Sequence, residues 1–273
     1  MKVFSILKQA IIPNSRPQED YFIISKKYPI FVVADGVSLN FDNDSDYPGH
    51  SGAGEAAKIF CEVVAAEAEK RYETFKEENL KEIFELGNKA VLEYNISNNR
   101  TKNTINYYDF DLFSATTSFL LIKNNKAYWW SLCDAGLLAF RNGSKIFQSP
   151  DGWTNSPEKW QEIKDEKKRF ITMHRDYRNT VNEKGELIGY GVVDGEEMAK
   201  LYLNIGTLDI NAGDFILLYT DGFENYLNLK EFIELFVKWP ENLENQLENI
   251  ISEKSKENPD KYGREKTIIA VSI

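Results

Sequence analysis

Short apolar runs separated by polar turns predict strands in the first part of the chain, followed by two helices. Residues 3–7, 21–24 and 31–34 have the length and the β-branched and aromatic content of strands. From residue 51, small and apolar residues begin a long helix, and the small residues at its start permit close approach to a sheet. An amphipathic pattern from about residue 77 to 94 predicts a second helix.

The middle of the chain is rich in predicted strands. Apolar and aromatic residues fill the runs 114–123, 127–134, 136–141 and 145–148. An Asn-Gly pair at 142–143 separates the last two of these runs, and this pair is the strongest short signal for a β-hairpin. We therefore predict an antiparallel meander.

The last part of the chain adds a non-periodic segment and then further helices and strands. Residues 150–193 mix charges and tryptophans with few periodic signals, so we expect a surface excursion or flap that faces the substrate. After it the pattern predicts strands near 200–204, 215–220 and 266–273 and helices at about 229–238 and 243–255. No linker divides the chain. The prediction is an α+β fold of antiparallel sheets covered by helices, in one domain over residues 1–273.

Two of the buried runs end in the same dipeptide, Asp-Gly. Asp35-Gly36 follows the run at 31–34, and Asp221-Gly222 follows the run at 215–220. If the two strands are neighbours, the carboxylates face each other and repel unless a proton or a cation lies between them. A bound divalent metal is one interpretation. The other is that each Asp-Gly only forms a turn.

Further charged residues fall near strand ends. Glu19 and Asp20 precede the strand at 21–24, and Asp134 ends the run at 127–134. Arg16 lies in the loop just before Glu19, where it is either a phosphate ligand or an exposed loop cation. Asp134 is either a residue of the same site or a turn residue.

Charge and composition exclude several classes of function. The net charge is −10 and the isoelectric point is near 5.0, which argues against a nucleic-acid surface. No apolar run approaches membrane-spanning length, and the first residues do not have the apolar run of a signal peptide, so we expect a cytoplasmic protein. Cys61 and Cys133 lie in apolar settings and are interpreted as reduced core residues rather than zinc ligands.

Several short motifs occur in order along nearly the whole chain. They are Arg16 with Glu19-Asp20, Ala34-Asp35-Gly36, the helix start Gly54-Glu55-Ala56-Ala57, Ala115-Thr116-Thr117, Cys133-Asp134, Asp214 with Thr220-Asp221-Gly222, and Thr267. In this order and spacing, the chain resembles the type 2C, metal-dependent protein serine/threonine phosphatase family. The resemblance implies two antiparallel β-sheets sandwiched between α-helical layers, in four layers from helix to helix, with a centre for two Mn²⁺ or Mg²⁺ ions at one end.

The resemblance also implies roles for individual residues. Asp35 would bridge the two metals, Gly36 would offer its backbone carbonyl, and Asp221 would bind metal. The remaining residues are assigned in the same way: Glu19 or Asp20 as ligands directly or through water, and Arg16 as the group that grips the substrate phosphate. Hard oxygen ligands suit these metals, which activate water for attack on phosphorus. The expected substrate is a phosphoprotein carrying phosphoserine or phosphothreonine.

The end of the chain departs from the family pattern. Arg264 stands where the family has an aspartate, three residues before Thr267, and Glu265 is next to it. Three interpretations follow: Glu265 replaces the missing ligand, one metal is weakened, or Arg264 acts as a built-in cation. Two alternative functions therefore stay open, a phosphatase-like binding module with little turnover and a phosphatase of a small phosphorylated metabolite, whose pocket the acidic loop at 41–50 would shape.

Two other departures concern further groups of the site. Asn225 stands where many family members have an acidic residue that supports a third metal together with the counterpart of Asp134, so the resemblance does not extend to that site. Val37-Ser38 follows Asp35-Gly36, which removes a histidine that could act as a general acid.

Overall fold

The computed structural model describes residues 1–11, 17–37, 51–152 and 162–273. These residues form two five-stranded antiparallel sheets. The strands are β1 (Lys2–Lys8), β2 (Tyr21–Ile24), β3 (Ile30–Val37), β4 (Ser114–Lys123), β5 (Lys126–Leu132), β6 (Gly136–Arg141), β7 (Ser144–Gln148), β8 (Thr180–Val181), β9 (Leu187–Ile188), β10 (Asn204–Asp209), β11 (Phe215–Tyr219) and β12 (Lys266–Ser272). One sheet has the order β1-β12-β11-β6-β7 and the other β10-β5-β4-β3-β2, while β8 and β9 form a separate small ladder.

Helices lie on the outer faces of both sheets and in the segment predicted as a flap. They are α1 (Gly52–Arg71), α2 (Glu78–Ser97), α3 (Glu166–Asp176), α4 (Glu224–Leu227), α5 (Lys230–Lys238), α6 (Leu243–Glu257) and α7 (Pro259–Tyr262). Apolar residues of α1 and α2 pack on the β3 sheet, and those of α5 and α6 pack on the β11 sheet. The predicted α+β sandwich in four layers is therefore confirmed. No helix in the described residues is both long enough and apolar enough to span a bilayer.

The apolar runs before the two Asp-Gly pairs are continuous because each strand is buried on both faces. In β3, Ile30 and Val32 face the α1–α2 layer, whereas Phe31 and Val33 face the other sheet. The same alternation holds in β11, whose residues point in turn toward α5 and α6 or toward the β3 sheet. Both apolar runs end on the same side of the sandwich, where Asp35 and Asp221 line one cavity.

The predicted single meander is wrong. The hairpin β4–β5 belongs to one sheet and the hairpin β6–β7 to the other, so the chain crosses between the sheets after Leu132. Cys133 makes this crossing with a φ of +61°, in the left-handed region that only a few non-glycine residues adopt. The strand predicted near 200–204 is also misplaced, because residues 197–201 form a 3₁₀ turn and the strand begins at Asn204.

The segment predicted as a flap contains α3 and the small β8–β9 ladder, and residues 153–161 lie outside the described ones. A buried polar cluster joins this segment to the loop after α2. Arg178 donates two hydrogen bonds to Asp111, of 3.1 and 2.9 Å, and His174 Nδ1 lies 2.7 Å from Asp111 Oδ2. All three side chains are almost fully buried. The Arg178 and His174 charges hold the pKa of Asp111 well below its usual range, against the effect of burial.

Candidate active site

Asp35 and Asp221 come from different sheets and not from neighbouring strands of one sheet. Asp35 lies near the end of β3, opposite Thr116 of β4, and Asp221 follows β11 at the start of a 3₁₀ turn. The two sheets face each other, so both carboxylates reach the same end of the sandwich. Burial raises the pKa of Asp35 well above its usual value, and the nearby carboxylates of Asp20 and Asp221 raise it further.

Gly36 lets the chain segments around Asp35 approach closely. A Cβ atom at this position would lie 2.8 Å from the backbone carbon of Ala53 in α1 and 2.9 Å from Cβ of Glu19. The Gly36 N–H donates a hydrogen bond of 3.2 Å to the Glu19 carbonyl oxygen. The Asp-Gly pair is therefore required by packing here, and it does not form a hairpin turn.

Asp20 is buried beside Thr220, which follows β11, and Thr267, which lies in β12. Its Oδ2 accepts a hydrogen bond of 2.8 Å from the Thr220 hydroxyl, while its Oδ1 is buried without a hydrogen bond in the described residues. Burial raises the pKa of Asp20 to about 7, opposed by the neighbouring hydroxyls of Thr267 and Thr220. The Thr267 N–H donates a hydrogen bond of 2.8 Å to the Thr220 hydroxyl oxygen. The Thr220 hydroxyl therefore accepts from Thr267 and donates its own proton to Asp20.

Glu19 and Glu265 hold the backbone around Asp20. The Glu19 carboxylate accepts a hydrogen bond from Ser51 Oγ, and the same Oγ accepts from the Gly54 N–H at 3.2 Å and so caps α1. The Glu265 carboxylate accepts from the backbone N–H of Glu19 at 2.6 Å and also from the Asp20 N–H and the Gln18 amide. Burial raises the pKa of Glu265 to about 8, and the Asp20 charge adds to the rise.

Arg264 pairs with Asp221. The Arg264 Nη1 atom donates to Asp221 Oδ2 at 2.8 Å, and the arginine side chain is 61% exposed. Burial raises the pKa of Asp221 to about 6 and the Asp134 carboxylate adds to this, whereas the Arg264 charge lowers it. The structure thus places the Arg264 cation directly on Asp221, one of the predicted metal ligands, as in the third interpretation drawn from the sequence.

A second cation, Lys266, was not among the predicted site residues. Its side chain is buried, and Nζ donates a hydrogen bond to the Arg264 carbonyl oxygen. Burial lowers the pKa of Lys266 to about 8, against the opposing charges of Asp20, Asp221 and Glu265, which therefore lie near it. The available signal was a lysine at the start of a final strand that is otherwise almost entirely apolar.

The other predicted residues have different positions. Asp134 lies close enough to raise the pKa of both Asp35 and Asp221. Asn225 donates a hydrogen bond of 3.0 Å to the Lys261 carbonyl oxygen in α7. Asp214 lies at the opposite end of β11, where it binds Arg141 through both carboxylate oxygens. Arg16 and the acidic loop at 41–50 lie outside the described residues.

A cavity of about 1160 Å³ opens at this end of the sandwich. Asp35, Asp221 and Arg264 line one part of it, and Met173 and His174 of α3 line another. The cavity therefore joins the acidic centre to the segment predicted as a flap.

The residues of the centre suit a hard divalent cation in chemistry. Carboxylate and carbonyl oxygens are the ligands that Mg²⁺ and Mn²⁺ prefer, and Asp20 Oδ1 is a buried acceptor in need of a partner. In the arrangement seen, no group of three or more His, Cys, Asp or Glu side chains within the described ranges could hold a metal ion. Asp20, Asp35 and Asp221 have suitable oxygen atoms, whereas Oε1 of Glu265 already accepts hydrogen bonds from the backbone of residues 19 and 20.

Comparisons with known proteins agree on one family. A family model described as protein phosphatase 2C matches residues 10–254. The serine/threonine phosphatase PstP of Mycobacterium tuberculosis is 15% identical, with a TM-score of 0.62 over 98% of this chain and 97% of that chain. A structure of the catalytic domain of the serine/threonine phosphatase PstP in complex with two manganese ions is 14% identical, with a TM-score of 0.60 over 98% of this chain and 96% of that chain. The phosphatase Stp1 of Staphylococcus aureus is 15% identical, with a TM-score of 0.61 over 100% of this chain and 95% of that chain. No curated protein matches the sequence.

Proposed function

Because the chain belongs to the protein phosphatase 2C family, we propose that it is a metal-dependent phosphatase that hydrolyses phosphoserine and phosphothreonine in proteins with activated water. The observation that carries this proposal is that Asp35 and Asp221 line one open cavity, with the buried Asp20 close enough to raise the pKa of Asp35. Neighbouring carboxylates repel each other unless a proton or a cation offsets the repulsion, and in this proposal the cation is a metal. The structure of PstP with two manganese ions supports the choice of metal.

We assign the metal-binding role to Asp35, Asp221, Asp20 and the Gly36 carbonyl, with Glu19 acting through water. When bound, Mn²⁺ or Mg²⁺ would activate water and offset the charge on the phosphoryl oxygens. The chain itself supplies the positioning. Thr220 orients Asp20 through a hydrogen bond of 2.8 Å.

Two residues of the site have other roles in this proposal. Glu265 fixes the backbone that carries Glu19 and Asp20, so we propose it as a positioning residue and not as a ligand. Arg16 stays a prediction as the phosphate-binding residue.

A second candidate function is a phosphatase-like module that binds a phosphoprotein without turnover. The observation that favours it is the ion pair between Arg264 and Asp221, which places a cation of the chain where the main proposal needs a metal. The metabolite phosphatase rested on the loop at 41–50, and the described residues add nothing in its favour.

Hydrolysis of para-nitrophenyl phosphate and of a phosphothreonine peptide tests the proposal. We expect turnover with Mn²⁺ or Mg²⁺, none with EDTA, and none in Asp35→Asn, which removes the central carboxylate at nearly constant shape. Asp209→Asn is the matched control, because Asp209 is exposed at the end of β10. Turnover by Asp35→Asn, or no turnover by the folded wild-type protein with either metal, would refute the proposal, and the second result would favour the binding module.

A further inference from the structure

The ion pair between Arg264 and Asp221 joins an exposed arginine side chain to a carboxylate, while hydrogen bonds hold the backbone around Arg264 in place. Two hydrogen bonds hold that backbone, from Lys266 Nζ to the Arg264 carbonyl oxygen and from the Ile11 N–H to the Gly263 carbonyl oxygen, the latter at 2.9 Å. The Arg264 side chain itself is 61% exposed. The guanidinium group can therefore leave Asp221 by rotating into solvent, and no change of fold is needed.

Lys266 differs from Arg264 in this respect. Its side chain is 1% exposed, and its Nζ donates a hydrogen bond to the Arg264 carbonyl oxygen. This buried group lies near Asp20, Asp221 and Glu265 and cannot leave them by rotating into solvent. Of the two cations on this part of the chain, only Arg264 can exchange with something else.

Asp221 Oδ2 cannot accept the hydrogen bond from the Arg264 guanidinium group and bind a divalent metal without weakening one of the two interactions. The oxygen accepts a hydrogen bond of 2.8 Å from Arg264, and a metal held by the same carboxylate would lie within a few ångströms of the positive guanidinium group. We propose that Arg264 is an exchangeable counter-ion that a divalent metal must displace from Asp221, so that Arg264 sets the metal affinity of the centre. This inference rests on the proposed function, because it takes Asp221 as a metal ligand.

The expected effect is moderate because the pair is exposed. An exposed ion pair changes an equilibrium by at most about fivefold. Once the guanidinium group has rotated into solvent, its repulsion of a divalent ion about 10 Å away in water adds a further factor of a few. Removing the charge should therefore tighten metal binding by about tenfold.

Calorimetric titration of Mn²⁺ into chelator-stripped protein measures this effect without an activity assay. We expect Arg264→Gln to bind Mn²⁺ about tenfold more tightly than wild type, and Arg264→Lys, which keeps the charge, to stay near wild type. Arg175→Gln is the matched control, because Arg175 is also an exposed arginine paired with an aspartate, Asp176, through two hydrogen bonds. Its Mn²⁺ affinity should equal that of wild type.

The possible outcomes separate this inference from the proposed function. Equal Mn²⁺ affinity of wild type and Arg264→Gln, within twofold, would overturn the exchange and leave the metal-dependent phosphatase intact. Tighter binding by Arg175→Gln as well would also overturn it, because the effect would then follow net charge and not the Asp221 pair. If wild type and Arg264→Gln are both folded and neither binds Mn²⁺, the metal centre itself is refuted.

Discussion

Asp194 gives the folding stability a pH dependence that a single substitution should remove. Its Oδ1 accepts hydrogen bonds from Asn179 Nδ2 at 2.7 Å and from the Glu196 N–H at 2.9 Å, and the side chain is almost fully buried. Burial raises the pKa of Asp194 from its ordinary value of 3.8 to about 6, although the Arg178 charge opposes this rise. Asp194→Asn keeps the accepting oxygen and removes the titration.

The direction of this pH dependence follows from how many protons the folded and the unfolded states bind. Between pH 3.8 and about pH 6 the folded protein keeps the Asp194 proton that the unfolded chain has already released. The stability contributed by this group is therefore present at low pH and is lost as the pH rises through that window. The difference between the two pKa values, at about 1.4 kcal/mol per pH unit, amounts to about 3 kcal/mol.

Urea denaturation between pH 4 and pH 7, with EDTA present, measures this contribution. Carboxylates of the acidic centre titrate in the same range, so the informative quantity is the difference between wild type and Asp194→Asn. We expect wild type to lose about 2 kcal/mol more than the variant over this range, because part of the full contribution is already lost at pH 4, whereas the exposed control Asp209→Asn follows wild type. Parallel pH profiles for wild type and Asp194→Asn would refute the reasoning.

Two further predictions concern buried carboxylates. Asp111→Asn leaves the buried Arg178 without its ion-pair partner and should lower the free energy of unfolding by about 3–5 kcal/mol. The control Asp176→Asn breaks an exposed ion pair and should lower it by less than about 1 kcal/mol. Thermal and urea denaturation compare the two variants, and equal losses of stability would contradict the role of burial. Glu265→Gln keeps an oxygen that accepts from the backbone of residues 19 and 20, so the Mn²⁺ affinity should stay within a few-fold of wild type. A large loss of Mn²⁺ binding in calorimetry would make Glu265 a ligand after all.

The layers of the fold could be predicted from local patterns because burial on both faces leaves a local signature. The runs before Asp35 and Asp221 are continuous and apolar, as expected for strands between a helix layer and a second sheet. The crossing between sheets at Cys133 has no such signature. A left-handed φ at a non-glycine residue is set by its tertiary surroundings, so the sequence favoured a single meander.

The composition of the acidic centre could be predicted only in part, because its decisive contacts join distant parts of the chain. Asp35 and Asp221 could be predicted as site residues because each follows a recognisable apolar strand sequence. The contact from Glu265 to the Asp20 N–H spans 245 residues, and the pair of Arg264 with Asp221 spans 43. Lys266 was overlooked because a lysine at a strand end is most often exposed, and only the structure shows its ammonium group buried.

The charge balance of the centre bears on both candidate functions. A module that had replaced its metals with Arg264 and Lys266 would leave each buried carboxylate with a partner, because an unpaired buried charge costs stability. Within the described residues, Arg264 satisfies Asp221 and Lys266 lies beneath the cluster, yet Asp20 Oδ1 stays buried without a hydrogen bond. Asp35, the residue between Asp20 and Asp221, has its pKa raised by both neighbours. The two cations thus offset only part of the charge that these carboxylates carry when ionised, and the rest is offset either by protons, which the raised pKa values of Asp20 and Asp35 allow, or by a divalent metal.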